Sequence, residues 1–444
     1  MPPLKKLISL TLLSVSAAIA TAAELTFTGL RLQVVKETPA ASTGLTEVYV
    51  LPYVEGVKAS FESTAGNTVS WQRFSKLGGG YAEPAPSTQN GSTSTLDRLE
   101  GNMGYIVADG STSFYFWVVD YSAYPMGLRD LTLSPESDCS TTWLDVDGNG
   151  DGITYYSITG VPQHIDRQFT LSYSTLEYDE TEKTWRQTTH EENFAELTET
   201  LTCPPPLCET AFTLSGDKFA RIWGEEESIT SPVYEPRAVE AHTSAEQTPR
   251  QADNEVKEEA ALGGSGPAEV TFTAAVTDAA VFHEWELARD SEFNQSFLRY
   301  SDLEFTHTFR EQGTTYVRFT AANDDGTCEY VSETYEVYIG ESSLKCPNAF
   351  SPGTSEGVND EWKVSYKSIV EFDCHIFDRN GRKLAHLTDP SQGWDGKING
   401  KTAPSGVYFY VIRAKGADGK KYNLNGNINI IGFKKNNSTN NGTE

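Results

Sequence analysis

Short runs of alternating apolar and polar residues recur along most of the chain. Residues 45–51, 68–74 and 113–119 are the clearest, and clusters of Gly, Asn and Ser separate them. A side-chain period of two describes strands with one buried face, and turn residues about every 8–12 positions describe antiparallel sandwiches. The pattern divides into successive β-units. Residues 23–135 are expected to form the first. A second spans 136–207, with strands at 169–173 and around Trp185, and closes at Cys203, three consecutive prolines and Cys208. The prolines read as a stiff linker and so as a boundary. A third unit, 208–345, begins with strands at 211–215 and 219–223. Residues 224–267 then turn acidic and polar, with Glu225, Glu226, Glu227, Glu258 and Glu259 and a Gly-rich end at 263–267. Such a segment buries too little apolar surface to offset its ordering entropy, so a disordered insertion is expected. Strands resume at 270–274, 281–287 and 314–323. Residues 346–435 form a last unit and 436–444 a polar tail. The fold class is all-β: tandem sandwiches ending in a small C-terminal β-sandwich.

Trp71 lies where an immunoglobulin-like sandwich keeps its central core tryptophan. The stretch from Val270 to Cys328 resembles PKD or immunoglobulin-like modules of bacterial surface proteins. Trp285, the run Gly313, Thr314, Thr315, Tyr316, Val317 and the turn before Cys328 carry that resemblance.

The first 22 residues read as an address. Lys5 and Lys6 precede an apolar run at 7–19, and Ala20, Thr21 and Ala22 supply small residues for cleavage. The run is shorter than the roughly 20 residues that span a bilayer, so a cleaved signal peptide is expected rather than an anchor. No Cys stands at that position, which argues against a lipoprotein. Export places six cysteines, Cys139, Cys203, Cys208, Cys328, Cys346 and Cys374, in an oxidising compartment. Nesting within units suggests the pairs Cys139–Cys203, Cys208–Cys328 and Cys346–Cys374. No CxxC is present, so redox and zinc-knuckle motifs are unsupported.

The 444 residues carry a formal net charge of -27. That excludes a general nucleic-acid binder, which needs a basic footprint over phosphates. The charge is uneven. Residues 346–435 hold 13 Lys and Arg against 9 Asp and Glu, a net of +4. Lys397, Lys401, Arg413, Lys420 and Lys421 are either a solvated face or a meeting point for an acidic partner or anionic lipopolysaccharide.

The sharpest sequence signal lies in the same hundred residues. Pro347, Asn348, Phe350 and Pro352 come first, then Gly357, Asn359 and Asp360. Phe377, Arg379 and Gly381 follow, then Gly393, Trp394, Asp395 and Gly396, and finally Pro404, Gly406, Tyr408, Tyr410, Gly426 and Ile428. In order and spacing they closely resemble the gliding-motility-associated C-terminal domain, the type-B sorting domain of the Bacteroidota type IX secretion system. The first loop departs from the family, being one residue longer with Glu356 at its acidic position, and the tail runs past the usual chain end. The resemblance implies transit through the periplasm and delivery to the outer membrane, the cell surface or the medium. It implies translocon or shuttle proteins as partners. The layout also resembles PorA-like components of that system, which implies a non-enzymatic signalling role toward a periplasmic sensor kinase. The other reading is an adhesin or carbohydrate-binding surface protein using the same address. The residues themselves predict strong strands at 370–377 and 406–412, a hairpin turn at Asn380 and Gly381, and an open edge at 427–431 for partner strands.

Asp145, Asp147, Asn149 and Asp151 alternate along a Gly-rich stretch. Oxygen donors of this kind suit Ca²⁺, although Tyr156 stands where an EF-hand places its bidentate Glu. An Asx-Gly hairpin turn accounts for the same residues. The seven histidines are scattered, and no HExxH, GxSxG, Walker loop or dinucleotide fingerprint is present. A non-enzymatic protein is expected.

Overall fold

The computed structural model describes residues 25–64, 66–354 and 357–432. The expected signal segment, the tail 436–444 and Glu356 lie outside the described residues. Four β-units follow one another, as tandem sandwiches and a C-terminal β-domain.

In the first unit a four-stranded sheet faces a six-stranded one. Trp71, Tyr105 and Phe116 fill the space between them, and the Trp71 indole N–H donates to Ser94 Oγ at 3.0 Å. The strands Glu47–Leu51 and Thr112–Asp120 pair in parallel at the centre of the larger sheet. Both are apolar at nearly every position because both faces are covered. Tyr49, Leu51 and Phe116 point into the sandwich. Val48, Val50 and Trp117 point outward, against Ile153, Tyr155, Ile165, Phe219 and Trp223 of the second unit.

That second unit reaches further than the proline run suggests. The strand Phe169–Asp179 pairs with Thr213–Ser215, which pairs with Ser228–Thr230. The segment between Cys203 and Cys208 is therefore a crossing within one sandwich. Residues 219–223 form the helix Lys218–Trp223 instead of a strand. The Asp217 carboxylate caps it, accepting from the Phe219 and Ala220 N–H groups, and Gly224 ends it in the left-handed region at φ 76°. Its buried residues Phe219, Ala220 and Trp223 are spaced for one helical face.

The same carboxylate holds a fully buried arginine. Arg167 Nε donates to Asp217 Oδ2 at 2.6 Å, Nη1 to the Asp151 carbonyl at 2.8 Å, and Nη2 to Tyr121 Oη and the Tyr124 carbonyl, both at 3.2 Å. Tyr121 Oη in turn donates to Asp217 Oδ2 at 3.1 Å. Burial, with the Asp217 charge beside it, pushes the Tyr121 phenol well above its ordinary range.

The third unit starts near residue 238 and packs Trp285, Phe272, Phe305 and Phe319 between its sheets. The acidic stretch expected to be disordered contributes to it. Ser228–Thr230 completes the second unit, Ala241–Gln247 pairs with Ala268–Val276, and Leu262–Gly264 pairs in parallel with Tyr335–Ile339. Residues 252–258 run along the fourth unit. Asn254 Nδ2 donates to the carbonyls of Val364 and Pro390, Val256 N–H donates to Tyr366, and Asp253 and Glu258 pair with Lys363 and Lys367. Backbone pairing and ion pairs with distant strands supply the ordering energy that composition alone did not reveal.

The expected disulfides are not the ones formed. Cys139 pairs with Cys328 and ties the second unit to the third, while Cys203, Cys208, Cys346 and Cys374 are free. Cys203 and Cys374 sit in strands with their thiols in the core, where they pack as small apolar groups. Burial pushes both thiols up to about 12.

Two outcomes follow. Replacing Arg167 with Ala strands the Asp217 charge in the interior, and denaturant unfolding should show a loss of about 3–5 kcal/mol. In unreduced protein, thiol titration should find four reactive groups after denaturation and far fewer in the native state; six after denaturation would disprove the Cys139–Cys328 bond.

Candidate functional site

The C-terminal unit is a five-stranded sheet in the order Ala349–Phe350, Lys421–Ile430, Gly406–Gly416, Ile369–Phe377, Lys383–Leu387. One face packs on a core that includes Trp362, Cys374, Ile376, Ile412 and Ile428. Most of the motif residues build this core or its turns. Trp362 and Trp394 exchange backbone hydrogen bonds of 2.9 and 3.0 Å. The Trp362 indole donates to the Pro347 carbonyl at 2.7 Å and the Trp394 indole to the Lys397 carbonyl at 3.3 Å. Phe350 and Tyr408 lean on Trp394, and Tyr410 lies on Trp362. The Tyr408 hydroxyl donates to the Pro404 carbonyl at 2.9 Å.

Two glycines are required by close approach. A Cβ on Gly426 would lie 2.6 Å from Tyr410 Oη, and one on Gly396, at φ 69°, would press on Phe350 and Pro352. In the first loop the Asp360 carboxylate accepts from the Gly353 and Gly357 N–H groups at 2.8 and 2.7 Å, and the Asn359 carbonyl accepts from Ser351 N–H. Asp395 holds Lys397 through its N–H and its ammonium. Gly381 closes the turn between Ile369–Phe377 and Lys383–Leu387, with the Asp378 carboxylate accepting from the Asn380 and Arg382 N–H groups. Arg379 stands exposed at that turn, and Phe377 and Gly393 complete the sheet end and the approach to Trp394.

What this scaffold offers to a partner is its other face and one edge. On Gly406–Gly416 the residues Val407, Phe409 and Val411 alternate outward at 47%, 43% and 42% exposure. Asn429, Asn427 and Asn425 lie opposite them on the next strand. The strand Lys421–Ile430 pairs along its whole length on one side. On the other side Ala349–Phe350 pairs only with Asn429 and Ile430. The stretch expected to be open, 427–431, is therefore covered at its far end by Asn348 and Phe350, and the free edge lies upstream among the described residues.

The basic residues do not form one patch. Lys397 and Lys401 lie in the hairpin before Gly406, whereas Lys420 and Lys421 follow Gly416 at the far end of a strand about 35 Å long. Lys397 is already paired with Asp395.

The suggested Ca²⁺ ligands are not brought together. Asp145, Asp147 and Asn149 belong to the extended strand Thr142–Asn149, with side chains on its exposed face. From Asp145 to Asn149 the strand advances about 13.6 Å, too far for the whole series to close on one small cation. Asp147 is paired with Arg129, and Asp151 is engaged through its carbonyl by Arg167. Neither the loop nor the hairpin turn expected there forms at these residues, because residues 144–149 pair with the strand Gly127–Leu133 and residues 142–145 with Thr200–Cys203.

Two of the scattered histidines do meet. His375 and His386 face each other across neighbouring strands, with Asp373 beside them. The signal was present in the sequence: a hairpin turning at Asn380 and Gly381 places residue 375 opposite residue 386.

Comparison with known proteins agrees with this division. Residues 344–430 match the CHU_C type IX secretion signal domain, and residues 132–231 match a fibronectin type III domain. No curated protein matches the chain. Among solved structures it is similar to a tetra-tandem repeat from the extending region of a large adhesion protein, at 12% identity and TM-score 0.20, over 84% of this chain and 95% of that one. It is also similar to fibronectin(III)-like modules of Clostridium thermocellum CbhA, at 13% identity and TM-score 0.17, over 43% and 95%. A third is dimeric latent PorU from Porphyromonas gingivalis, at 10% identity and TM-score 0.17, over 72% of this chain and 35% of that one. The chain thus carries a type IX secretion signal domain at its C-terminal end, on a body that includes a fibronectin type III domain. That signal marks it for export by the type IX machinery.

Replacing Trp394 with Ala removes the centre of the aromatic cluster. It should destabilise this unit by about 3–5 kcal/mol, read from its denaturant midpoint.

Proposed function

We propose that this is a non-enzymatic protein of the type IX secretion system, recognised by translocon or shuttle proteins through residues 344–430 and carrying a β-sandwich body. The match of that segment to a secretion signal domain is the observation that carries the reading. The free edge of Lys421–Ile430 and the apolar row Val407, Phe409 and Val411 support it. Unpaired N–H and C=O groups accept a partner strand, and neighbouring apolar side chains supply the burial that makes such pairing stable.

Signalling is the finer part of the proposal. In it, the exported protein displays this domain at the outer membrane, and occupancy of the domain reports on secretion to a periplasmic sensor kinase. The buried contacts between the third and fourth units suit a domain that is retained with its body. The Ser265 hydroxyl accepts from Ser368 N–H at 2.9 Å, and Ser368 Oγ accepts from Gly266 N–H at 3.2 Å. A carbohydrate-binding adhesin would call for a row of exposed aromatics on the first or second unit. Among the described residues of those units, Tyr81 and Trp143 are the large exposed aromatic side chains, and they belong to different units.

Fused behind an exported reporter, residues 344–444 should bring it to the surface or medium of a type IX-competent cell, and not of a secretion mutant. A reporter that stays in the periplasm of competent cells would remove the address reading. Unchanged secretion-gene expression after deletion of the gene would remove the signalling part alone.

A further inference from the structure

The outward face of the C-terminal sheet holds a constellation that the sorting role does not use. Asp373 and His375 stand two residues apart on Ile369–Phe377, so both side chains point to the same face. His386 lies directly opposite His375 on Lys383–Leu387. Cross-strand neighbours have Cβ atoms about 4.5–5.5 Å apart, and the diagonal position is within reach of a long side chain. The rings of His375 and His386 accordingly approach to 4.3 Å between centroids.

Both imidazoles turn the same nitrogen toward one carboxylate. His386 Nε2 lies 2.6 Å from Asp373 Oδ1, and His375 Nε2 lies 3.4 Å from Asp373 Oδ2. The three donor atoms all fall within 4.8 Å of one another. A surface His–Asp hydrogen bond needs one histidine. Here a second imidazole stands tilted beside the first, with its Nε2 turned to the same carboxylate. A dication accepted by both nitrogens and neutralised by the carboxylate satisfies all three groups.

We propose that Asp373, His375 and His386 bind a divalent transition-metal ion of the zinc class. The donor set decides the ion. Two imidazoles and one carboxylate match zinc and its neighbours, whereas Ca²⁺ and Mg²⁺ take oxygen ligands. With bonds of about 2.0–2.1 Å, tetrahedral ligand atoms lie about 3.4 Å apart. The 2.6 Å contact must open and the widest gap must close, changes that side-chain rotation supplies without moving either strand. If the His386 proton resides on Nε2, it moves to Nδ1 as the metal takes its place. The fourth position faces solvent and takes a water or a donor from a partner. Arg413, in register with Asp373 on the next strand, and Lys383, within electrostatic reach, are the nearby cations; neither forms an ion pair with the carboxylate. Bound there, the ion fastens Lys383–Leu387, the five-residue edge strand, to the strand beside it.

The test uses the full mature chain, freed of metal by chelator and dialysis and titrated with ZnCl₂ by calorimetry. One ion should bind, and the thermal midpoint should rise with zinc concentration. His375→Ala and His386→Ala should each weaken binding by about 100-fold or more, since loss of groups that only support ligands already costs about 10–100-fold. If His375→Ala fails to fold, as judged by circular dichroism without metal, His386→Ala and Asp373→Asn on the exposed face carry the comparison. Co²⁺ in place of zinc should give visible bands without the intense near-ultraviolet absorption of thiolate ligation. Absence of binding, equal affinity in the variants, or a thiolate band placing the ion at the free cysteines would each overturn the proposal.

Discussion

The buried pair of Arg167 and Asp217 is the interaction on which the body of the molecule turns. A guanidinium and a carboxylate taken out of water are tolerated only when their hydrogen-bonding capacity is met. Here the Arg167 fork reaches Asp217, the Asp151 carbonyl, Tyr121 and Tyr124, while the Asp217 carboxylate also caps the helix Lys218–Trp223. Tyr121 and Tyr124 follow the last strand of the first unit, and Arg167 and Asp217 belong to the second. Meeting the demands of one ion pair thus fixes the helix, and the helix places Phe219 and Trp223 on the outer face of the first unit's sheet. Two sandwiches that pattern alone would separate become one block.

Satisfaction of polar groups also joins the third unit to the signal domain. Ser265, Ser368 and Asn254 bridge backbone groups that would otherwise be buried without partners, and Ser342 Oγ donates to the Asp418 carboxylate at 2.8 Å. Ala417 leaves its own unit to pack on the core of the third. These contacts touch the domain around residues 363–368, at Pro390 and around 416–422. They leave the row Val407, Phe409 and Val411 and the Asp373, His375 and His386 group exposed to solvent. The domain is held against the body while the proposed recognition row stays exposed.

Much of the C-terminal unit was legible in the sequence. Its motif residues are close-approach glycines, core aromatics and turn residues, whose physical demands are local. Gly426 yields to Tyr410, and Gly381 closes a turn capped by Asp378. The hairpin at Asn380 and Gly381 even fixes the register that brings His375 to His386. The outward direction of Asp373 follows from the period of two. That the three groups converge follows only when both facts are combined.

The sequence by itself determined the faces of the strands, the core role of Trp71, the all-β class and the secretion signal, because each is written in local patterns of neighbouring residues or in a series of such patterns. Tertiary structure decided which cysteines pair, where the second unit ends, that the acidic segment is ordered and that the Asp145 series lies along a strand. Cys139 meets Cys328 across 189 residues, and Asp253 meets Lys363 on another unit. Local composition states what a segment can bury or charge, but the partner that satisfies it is chosen by the fold as a whole.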